Sequence, residues 1–146
     1  MLRAFFESNE QQIQDIFKRI HAPRELDKVL FLTQEHSAIR IQRTNGKNSS
    51  IDEISSGQRS ALALSIFLAL NKKLRNGPNL LLFDDPVAFV DDLNILSFLD
   101  YLREIVINED RQIFFATASQ KLADFFDKKF SFLKPSNEFK FFLLSR

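Results

Sequence analysis

The sequence predicts an α/β fold in which parallel strands are joined by helical crossovers. Residues 80–83 and 113–117 are apolar without alternation, as in strands that are covered on both faces of a sheet. Between them, apolar residues at helical spacing predict a helix over residues 92–107. A strand, a helix and a strand in this order form a parallel pair with a crossover. The inner side of this helix is expected to carry five residues, Leu93, Leu96, Leu99, Leu102 and Val106.

The first third of the chain predicts a helix followed by peripheral antiparallel strands. Ser8 and Gln11 have capping-box spacing, so we expect a helix from about residue 9 to residue 20, ended by Pro23. Its apolar face is expected to hold Ile13, Ile16, Phe17 and Ile20. Residues 29–32 and 38–41 are typical of two short strands around a turn at 34–37, and residues 44–50 of a polar loop.

A long apolar helix occupies the middle of the predicted fold. It begins at Ser55 or Ser56 and is expected to reach about residue 74, where residues 76–78 carry Gly and Pro as helix-end signals. Nearly every residue from 61 to 70 is apolar, which predicts burial on most sides. After the second parallel strand we expect a short helix over residues 121–126. A final hairpin is expected to pair residues 130–133 with 139–142 about a turn at 135–137.

Composition bounds the class of protein. With 146 residues, 45% hydrophobic and 27% charged, the chain fits one domain with a real core. Its formal net charge of +1 does not indicate the basic surface that is typical of nucleic-acid binding. Its 17 Phe residues are better explained as part of the core than as a base-stacking surface. The absence of cysteine excludes disulfides and thiolate metal sites. The longest apolar stretch is too short to cross a bilayer, and the N-terminus lacks a signal peptide, so we expect a soluble, cytoplasmic protein.

The start of the long helix has two interpretations. Ser55 with Gln58 three residues later forms a capping box, which alone could explain the motif Ser55-Ser56-Gly57-Gln58. The same helix start, with free backbone N–H groups, a hydroxyl and a glycine that permits close approach, could also bind a phosphate.

Paired carboxylates follow the first parallel strand. Asp84 and Asp85 lie where the strand leaves the sheet, which is the usual ligand-binding edge of open α/β folds. Asp84 could hold Mg²⁺, and Asp85 could orient or deprotonate an attacking water. The alternative is an acidic turn closed by Pro86. Further on, the role of Asp91 and Asp92 could be simply that of an N-cap for the next helix.

Polar residues also end the second parallel strand, at the same predicted edge. Thr117, Ser119 and Gln120 could sense a phosphate or simply cap the following helix. His21 and His36 fall in predicted loops without metal-ligand spacing, so both are interpreted as solvated. No Ser-His-Asp or Cys-His arrangement is present.

Taken in order, these motifs resemble the C-terminal half of an ATP-binding-cassette (ABC) ATPase head of the structural-maintenance-of-chromosomes (SMC) type, with its DNA-repair and phage-defence relatives. Residues 54–58 are similar to the L-S-G-G-Q signature, with Ser56 in place of the first glycine. Residues 80–84 are similar to Walker B, and Asp85 occupies the position of the catalytic glutamate. Asp91 matches the D-loop aspartate, and residues 113–117 match the strand that leads to the switch histidine. The resemblance runs from about residue 51 to residue 132.

The resemblance implies a partial P-loop NTPase fold in which ATP is shared between two heads. Ser55, Ser56, Gly57 and Gln58 would approach ATP held by a partner head, and Asp84 would serve Mg²⁺. Residues 1–24 would be the end of a coiled-coil helix, and residues 25–146 the C-terminal lobe. Its partners would be the N-terminal lobe, a second head in a homodimer, and DNA for the full assembly, with no membrane. The chain would then be a fragment, a cloned piece or one half of a split head.

Three departures from the family pattern bear on activity. The G-x-x-x-x-G-K-[ST] loop and the Q-loop are absent from the sequence, so the chain alone is not expected to bind ATP well. Asp85 is one methylene shorter than glutamate. Ala118 stands where the switch histidine is expected, and Ser119 or Gln120 could substitute. Two alternatives stay open: a non-hydrolysing dimerisation module derived from such a head, and a stand-alone fold that uses Asp84 and Asp85 as a metal site.

Overall fold

Four α-helices and five strands are present within the residues that the computed structural model describes, which are 2–21, 26–32, 38–74, 76–87, 90–109 and 111–144. In chain order the elements are α1 (Leu2–Ile20), β1 (Leu26–Leu32), β2 (Ala38–Arg43), β3 (Asn48–Ser50), α2 (Ser56–Lys72), β4 (Leu80–Asp84), α3 (Asp92–Asn108), β5 (Gln112–Ala116) and α4 (Gln120–Phe130). They divide into two compact units. The first holds residues up to 78 with residues 86–98, and the second holds residues 79–85 with those from 99 onward.

Helix α1 is longer than predicted. It begins at Leu2, so Ser8 lies inside the helix and the predicted capping box at Ser8 and Gln11 is wrong. Gln11 instead donates its amide to Asp15 one turn later, at 2.8 Å. The run upstream of Ser8 contains Leu, Arg, Ala and Glu, which continue a helix readily and outweigh a single serine. The predicted apolar face is confirmed, since Ile13, Ile16, Phe17 and Ile20 are all buried.

The first unit contains a three-stranded antiparallel sheet in the order β1-β2-β3. The antiparallel pairing of the two predicted strands is confirmed, with Val29 opposite Ile41 and both side chains fully buried. Part of the predicted polar loop is wrong, because Asn48–Ser50 pairs with β2 as a third strand. Gly46, at φ 80°, closes this hairpin in the left-handed geometry that glycine favours. The predicted turn at 34–37 lies outside the described residues.

Helix α2 packs against α1 in the first unit. Its predicted start at Ser55 or Ser56 is confirmed, and it ends at Lys72 just before the Gly-Pro segment. Burial is less complete than the sequence predicts: Leu64 and Leu68 are buried, whereas Phe67 is 38% and Leu70 39% exposed. A buried amide joins α1 to the sheet, since the backbone N–H of Val29 donates to Gln14 Oε1 at 2.7 Å.

The predicted parallel strand pair is confirmed in the second unit. Strands β4 and β5 run parallel, with Leu82 opposite Phe114 and Asp84 opposite Ala116. The expected cover on both faces is wrong for the described residues. Leu81 and Phe83 are buried, but Leu82 on the other face is 64% exposed and Phe114 is 51% exposed. One face of this pair is therefore apolar and open.

The buried face of α3 differs from the predicted one. Leu93 is 70% exposed and Leu96 is 36% exposed, whereas Asn94, Phe98 and Ile105 are buried. From Leu93 to Leu102 the prediction followed steps of three residues, and each such step turns about 300° around a helix of 3.6 residues per turn. A series of that kind drifts off one face within a few steps. Only its middle members, Leu99 and Leu102, are fully buried.

The C-terminal hairpin predicted from the sequence is wrong. Phe130 ends α4, residues 131–133 form a 3-10 turn, and residues 138–144 have no regular structure. The phenylalanines of this region stack on one another instead of alternating across a sheet. The Phe126 and Phe130 rings lie 4.3 Å apart between centroids, and Phe139 stacks on both. An aromatic cluster packed at the end of α4 therefore replaces the strand pairing.

Candidate functional site

The carboxyl ends of β4 and β5 bring Asp84, Asp85 and Thr117 to one edge of the parallel pair. Asp84 is the last residue of β4 and lies opposite Ala116, the last residue of β5. Asp85 and Thr117 follow directly, so the predicted coincidence of the two polar segments at one sheet edge is confirmed. Both aspartates are solvent-exposed and Thr117 is partly exposed.

Asp85 leaves the strand in a left-handed backbone conformation, at φ 43°. Among residues other than glycine, aspartate and asparagine tolerate this region best. The Asp85 N–H donates to the Ala116 carbonyl at 2.8 Å, so the turn is tied to the end of β5. The backbone conformation therefore favours aspartate or asparagine at this position.

A hydroxyl holds the Asp85 carboxylate. Thr117 Oγ1 donates to Asp85 Oδ1 at 2.8 Å and accepts the backbone N–H of Ser119 at 3.1 Å. Ser119 itself caps α4, since its Oγ accepts the N–H of Leu122 at 3.3 Å. Gln120 bonds along the helix to Asp124. Thr117 thus contacts Asp85, whereas the side chains of Ser119 and Gln120 contact α4.

The Ser55–Gln58 segment has the geometry of a capping box. The Gln58 N–H donates to Ser55 Oγ at 3.1 Å, and the Ser55 N–H donates to Gln58 Oε1 at 2.9 Å. Ser55 is extended, with φ −64° and ψ 159°, as a residue preceding a helix should be. Both side chains are therefore engaged at the start of α2, and Ser56 beside them is exposed.

Asp91 caps helix α3 with both carboxylate oxygens. Its Oδ1 accepts the Asn94 backbone N–H at 3.0 Å, and its Oδ2 accepts the Asn94 side-chain amide at 2.6 Å. The backbone hydrogen bond from Asn94 is the largest cause that lowers the pKa of Asp91, although desolvation opposes it. Within the first unit this carboxylate is thus a helix cap.

His21 belongs to the same network, so its interpretation as a solvated residue is wrong. The amide Nδ2 of Asn94 lies 2.8 Å from His21 Nδ1, and the imidazole also packs against Phe17. Burial is the largest effect on His21 and lowers its pKa. One indirect sign of this network is present in the sequence, namely an Asn placed three residues after the capping Asp. His36 lies outside the described residues.

The carboxylates suit Mg²⁺ by their donor chemistry. Within the described residues no cluster of three or more metal-ligating side chains is present. Mg²⁺ needs no such cluster, because it is commonly held by one or two carboxylates together with waters and substrate phosphates. Asp84 and Asp85 are adjacent and exposed at a sheet edge, which fits that kind of site.

Comparison with solved structures gives the fold. A chain from work on ATP-driven dimerisation and DNA-stimulated activation of SMC ATPases superposes with a TM-score of 0.67 and 16% identity, covering 96% of this chain and 98% of that one. The Smc head of Pyrococcus furiosus with an extended coiled coil, bound to the C-terminal domain of ScpA, gives a TM-score of 0.61 and 20% identity over 87% of this chain and 31% of its own. The fold is thus α/β of the P-loop NTPase type. It is the fold of the C-terminal portion of an SMC-like ABC ATPase head.

One curated relative is similar in sequence. The DNA double-strand break repair Rad50 ATPase of Aeropyrum pernix is 30% identical over 123 residues, which are 81% of this chain. The match spans only 13% of the Rad50 protein. No protein-family model matches the sequence. Among the described residues, no helix is both long and apolar enough to cross a membrane.

Proposed function

We propose that this chain is the C-terminal lobe of an SMC-like ATPase head and supplies the signature motif and Walker B carboxylates for ATP hydrolysis. The observation that carries the proposal is the pair Asp84 and Asp85 at the carboxyl end of a parallel strand, in a fold that matches an SMC ATPase chain over 96% of its length. Ligands of open α/β folds bind at this edge of the sheet.

Each residue at the edge has a role that its chemistry suits. Asp84 would hold Mg²⁺, which neutralises phosphate charge when bound. Asp85 would accept a proton from the attacking water, or orient it. Within the described residues its Oδ2 has no hydrogen-bond partner, so one oxygen remains available for that task.

The start of α2 would meet ATP that is bound to a second head. The N-terminal turn of a helix presents backbone N–H groups and a positive dipole end, both of which favour a phosphate. The capping box fixes this turn before any ligand arrives. Gly57 adds no side chain there, and the exposed Ser56 hydroxyl is available as a donor. Asp91 would line the head–head contact as the D-loop aspartate.

The open face of the β4–β5 pair supports an N-terminal lobe as partner. Leu82 and Phe114 form an in-register apolar pair that is more than half exposed. Parallel strands are normally covered on both faces, and a two-stranded sheet alone is only marginally stable. An N-terminal lobe carrying the Walker A loop would cover this face and complete the sheet. The full assembly would act in DNA processing, such as double-strand break repair, chromosome organisation or phage defence.

The function is tested by the hydrolysis rate of a completed head, formed either by the full-length protein or by this chain with its N-terminal lobe. Asp85→Asn is expected to lower kcat by about 10²–10⁴-fold, the contribution of a positioned general base. Asp52→Asn, at an exposed carboxylate of the first unit, is the matched control and should leave kcat unchanged. Equal rates for wild type and Asp85→Asn would remove Asp85 from the mechanism.

The partner lobe is tested by binding. Leu82→Gln and Phe114→Gln are each expected to weaken association with the N-terminal lobe about tenfold or more, because burying such a side chain contributes about 1.5–3 kcal/mol. Leu93→Gln changes an apolar residue that is 70% exposed in the other unit and serves as control. Calorimetric titration gives the dissociation constants. Unchanged binding by both sheet variants would place the lobe elsewhere.

A non-hydrolysing dimerisation module is the second candidate, and Ala118 favours it, since a histidine that could contact the γ-phosphate is replaced by a methyl group. If the chain is such a module, we expect completed heads to associate in the presence of ATP without hydrolysing it. An intact wild-type head that dimerises with ATP and shows no hydrolysis above the Asp85→Asn level would establish it.

A further inference from the structure

Thr117 has one hydroxyl hydrogen, and the hydrogen-bond partners of Oγ1 determine its direction. The backbone N–H of Ser119 is directed at Thr117 Oγ1, at 3.1 Å, and therefore occupies an acceptor position on that oxygen. The remaining short contact of Oγ1 is with Asp85 Oδ1 at 2.8 Å. Because a carboxylate can only accept, the threonine must be the donor. The Ser119 N–H thus orients the hydroxyl, and the hydroxyl orients the carboxylate.

The Asp85 backbone is held independently of its side chain. The N–H of Asp85 is bonded to the Ala116 carbonyl, one residue before Thr117. Two neighbouring positions of the β5 end therefore hold Asp85, one through its backbone and one through its carboxylate. An aspartate side chain has only two rotatable bonds, so fixing Oδ1 also fixes the direction of Oδ2.

We propose that Thr117 is a positioning residue for Asp85, and that its hydroxyl holds Oδ1 so that Oδ2 is presented to the attacking water. This inference rests on the proposed function of Asp85. It assigns Thr117 a contact with the carboxylate rather than with a phosphate. It also accounts for a short aspartate at this turn, because the left-handed backbone favours aspartate and the Thr117 hydroxyl holds its carboxylate.

The exposure of the site makes this hydrogen bond matter for rate rather than for stability. Asp85 is solvent-exposed, so without Thr117 its carboxylate remains hydrated and rotates among several orientations. Only part of that population would aim an oxygen at the water. Misorientation of a catalytic group lowers the rate of the chemical step without weakening substrate binding.

The test compares two substitutions of Thr117 in the completed head. Thr117→Val keeps the shape and removes the hydroxyl, and it is expected to lower kcat about tenfold, the value of one hydrogen bond to a charged group. The KM for ATP should change less than about twofold, because substrate contacts are kept. Thr117→Ser restores the hydroxyl and should return kcat to within about threefold of wild type. Thr44→Val, in the exposed hairpin turn, is the matched control.

A double mutant separates the inference from the function on which it rests. If Thr117 acts through Asp85, Thr117→Val adds no further loss to Asp85→Asn. Wild-type kcat for Thr117→Val, with Asp85→Asn still inactive, would overturn the positioning role and leave the proposed function standing. A Thr117→Ser variant as slow as Thr117→Val would also overturn it, because the hydroxyl would then be irrelevant. An Asp85→Asn variant that hydrolyses normally would instead remove the proposed function.

Discussion

The carboxylates of Asp85 and Asp91 lie six positions apart in the sequence and are engaged in different ways. Asp91 accepts two hydrogen bonds from Asn94, one at each oxygen, at the start of α3. Asp85 accepts one hydrogen bond, from the Thr117 hydroxyl at the end of β5, and its other oxygen has no partner among the described residues. Asp91 follows ordinary helix-cap geometry, whereas Asp85 lies at a left-handed turn.

This difference separates a carboxylate that stabilises the fold from one to which the proposed function assigns the chemistry. The bonds to Asp91 lower its pKa and satisfy Asn94, a polar residue that is only 8% exposed. Loss of that carboxylate would remove the partner of the buried Asn94 backbone N–H and one of the two partners of its amide, which is costly. Loss of the exposed Asp85 carboxylate would leave nothing buried unsatisfied. Substitution of Asp91 is therefore expected to lower stability, and substitution of Asp85 to lower activity.

The largest stability effect is expected for Asp91→Ala. Removing the cap of α3 and one of the two partners of the Asn94 amide should lower the free energy of unfolding by about 1–2 kcal/mol. Asp85→Asn, which keeps a residue type that tolerates the left-handed turn, should change it by less than about 0.5 kcal/mol. Urea unfolding followed by circular dichroism measures both. Equal losses at the two positions would show that the Asp91 carboxylate stabilises the fold no more than the Asp85 carboxylate does.

Sequence periodicity and motif order predict much of this fold. Continuous apolar runs predicted β4 and β5 as parallel strands, and the Ser-Gly start predicted α2, because these patterns depend on local sequence and on burial. The open face at Leu82 could not be predicted, since an apolar run does not say what will cover it. The prediction of a C-terminal hairpin was wrong for a similar reason. Alternating phenylalanines suit a strand, but they also suit a stacked cluster at a helix end.

The residues of the candidate site could be predicted from the sequence, but the contacts between them could not. Asp84, Asp85 and Thr117 follow from their positions at the ends of two parallel strands. The hydrogen bond between Thr117 and Asp85 depends on strand register and on a positive φ, which no sequence pattern specified. The link from Asp91 through Asn94 to His21 joins residues 70 or more positions apart, and only the packing of α1 in the first unit brings them together.

A smaller effect is expected from pH, and it involves the hydrogen-bond network of Asp91, Asn94 and His21. The amide nitrogen of Asn94 carries two hydrogens and can only donate. It donates one to the Asp91 carboxylate and the other to His21 Nδ1. His21 must then be neutral, with its hydrogen on Nε2. Protonation would place an N–H at Nδ1 against the Asn94 amide, where two donors would face each other.

The sign of the pH dependence follows from the direction of the pKa shift. Burial lowers the pKa of folded His21 below its ordinary value of 6.5, whereas the unfolded chain keeps the ordinary value. As pH falls through about 6.5, the unfolded state binds more protons than the folded state, so the free energy of unfolding decreases. Asp91 acts in a separate window: its lowered pKa stabilises the fold above its ordinary value of 3.8, and that stability is lost only at more acidic pH.

His21→Gln is expected to flatten the decrease in stability between about pH 7 and pH 5, because it removes the titrating group at the contact with Asn94. Urea midpoints measured across this range would show a slope for wild type and a smaller slope for the variant. Thr44→Val, in the exposed hairpin turn, removes no titrating group and should retain the wild-type slope. If His21→Gln and wild type lose stability in parallel as the pH falls, protonation of His21 is not coupled to the cap of α3. The fold-stabilising role of the Asp91 network would then rest on the Asn94 hydrogen bonds alone.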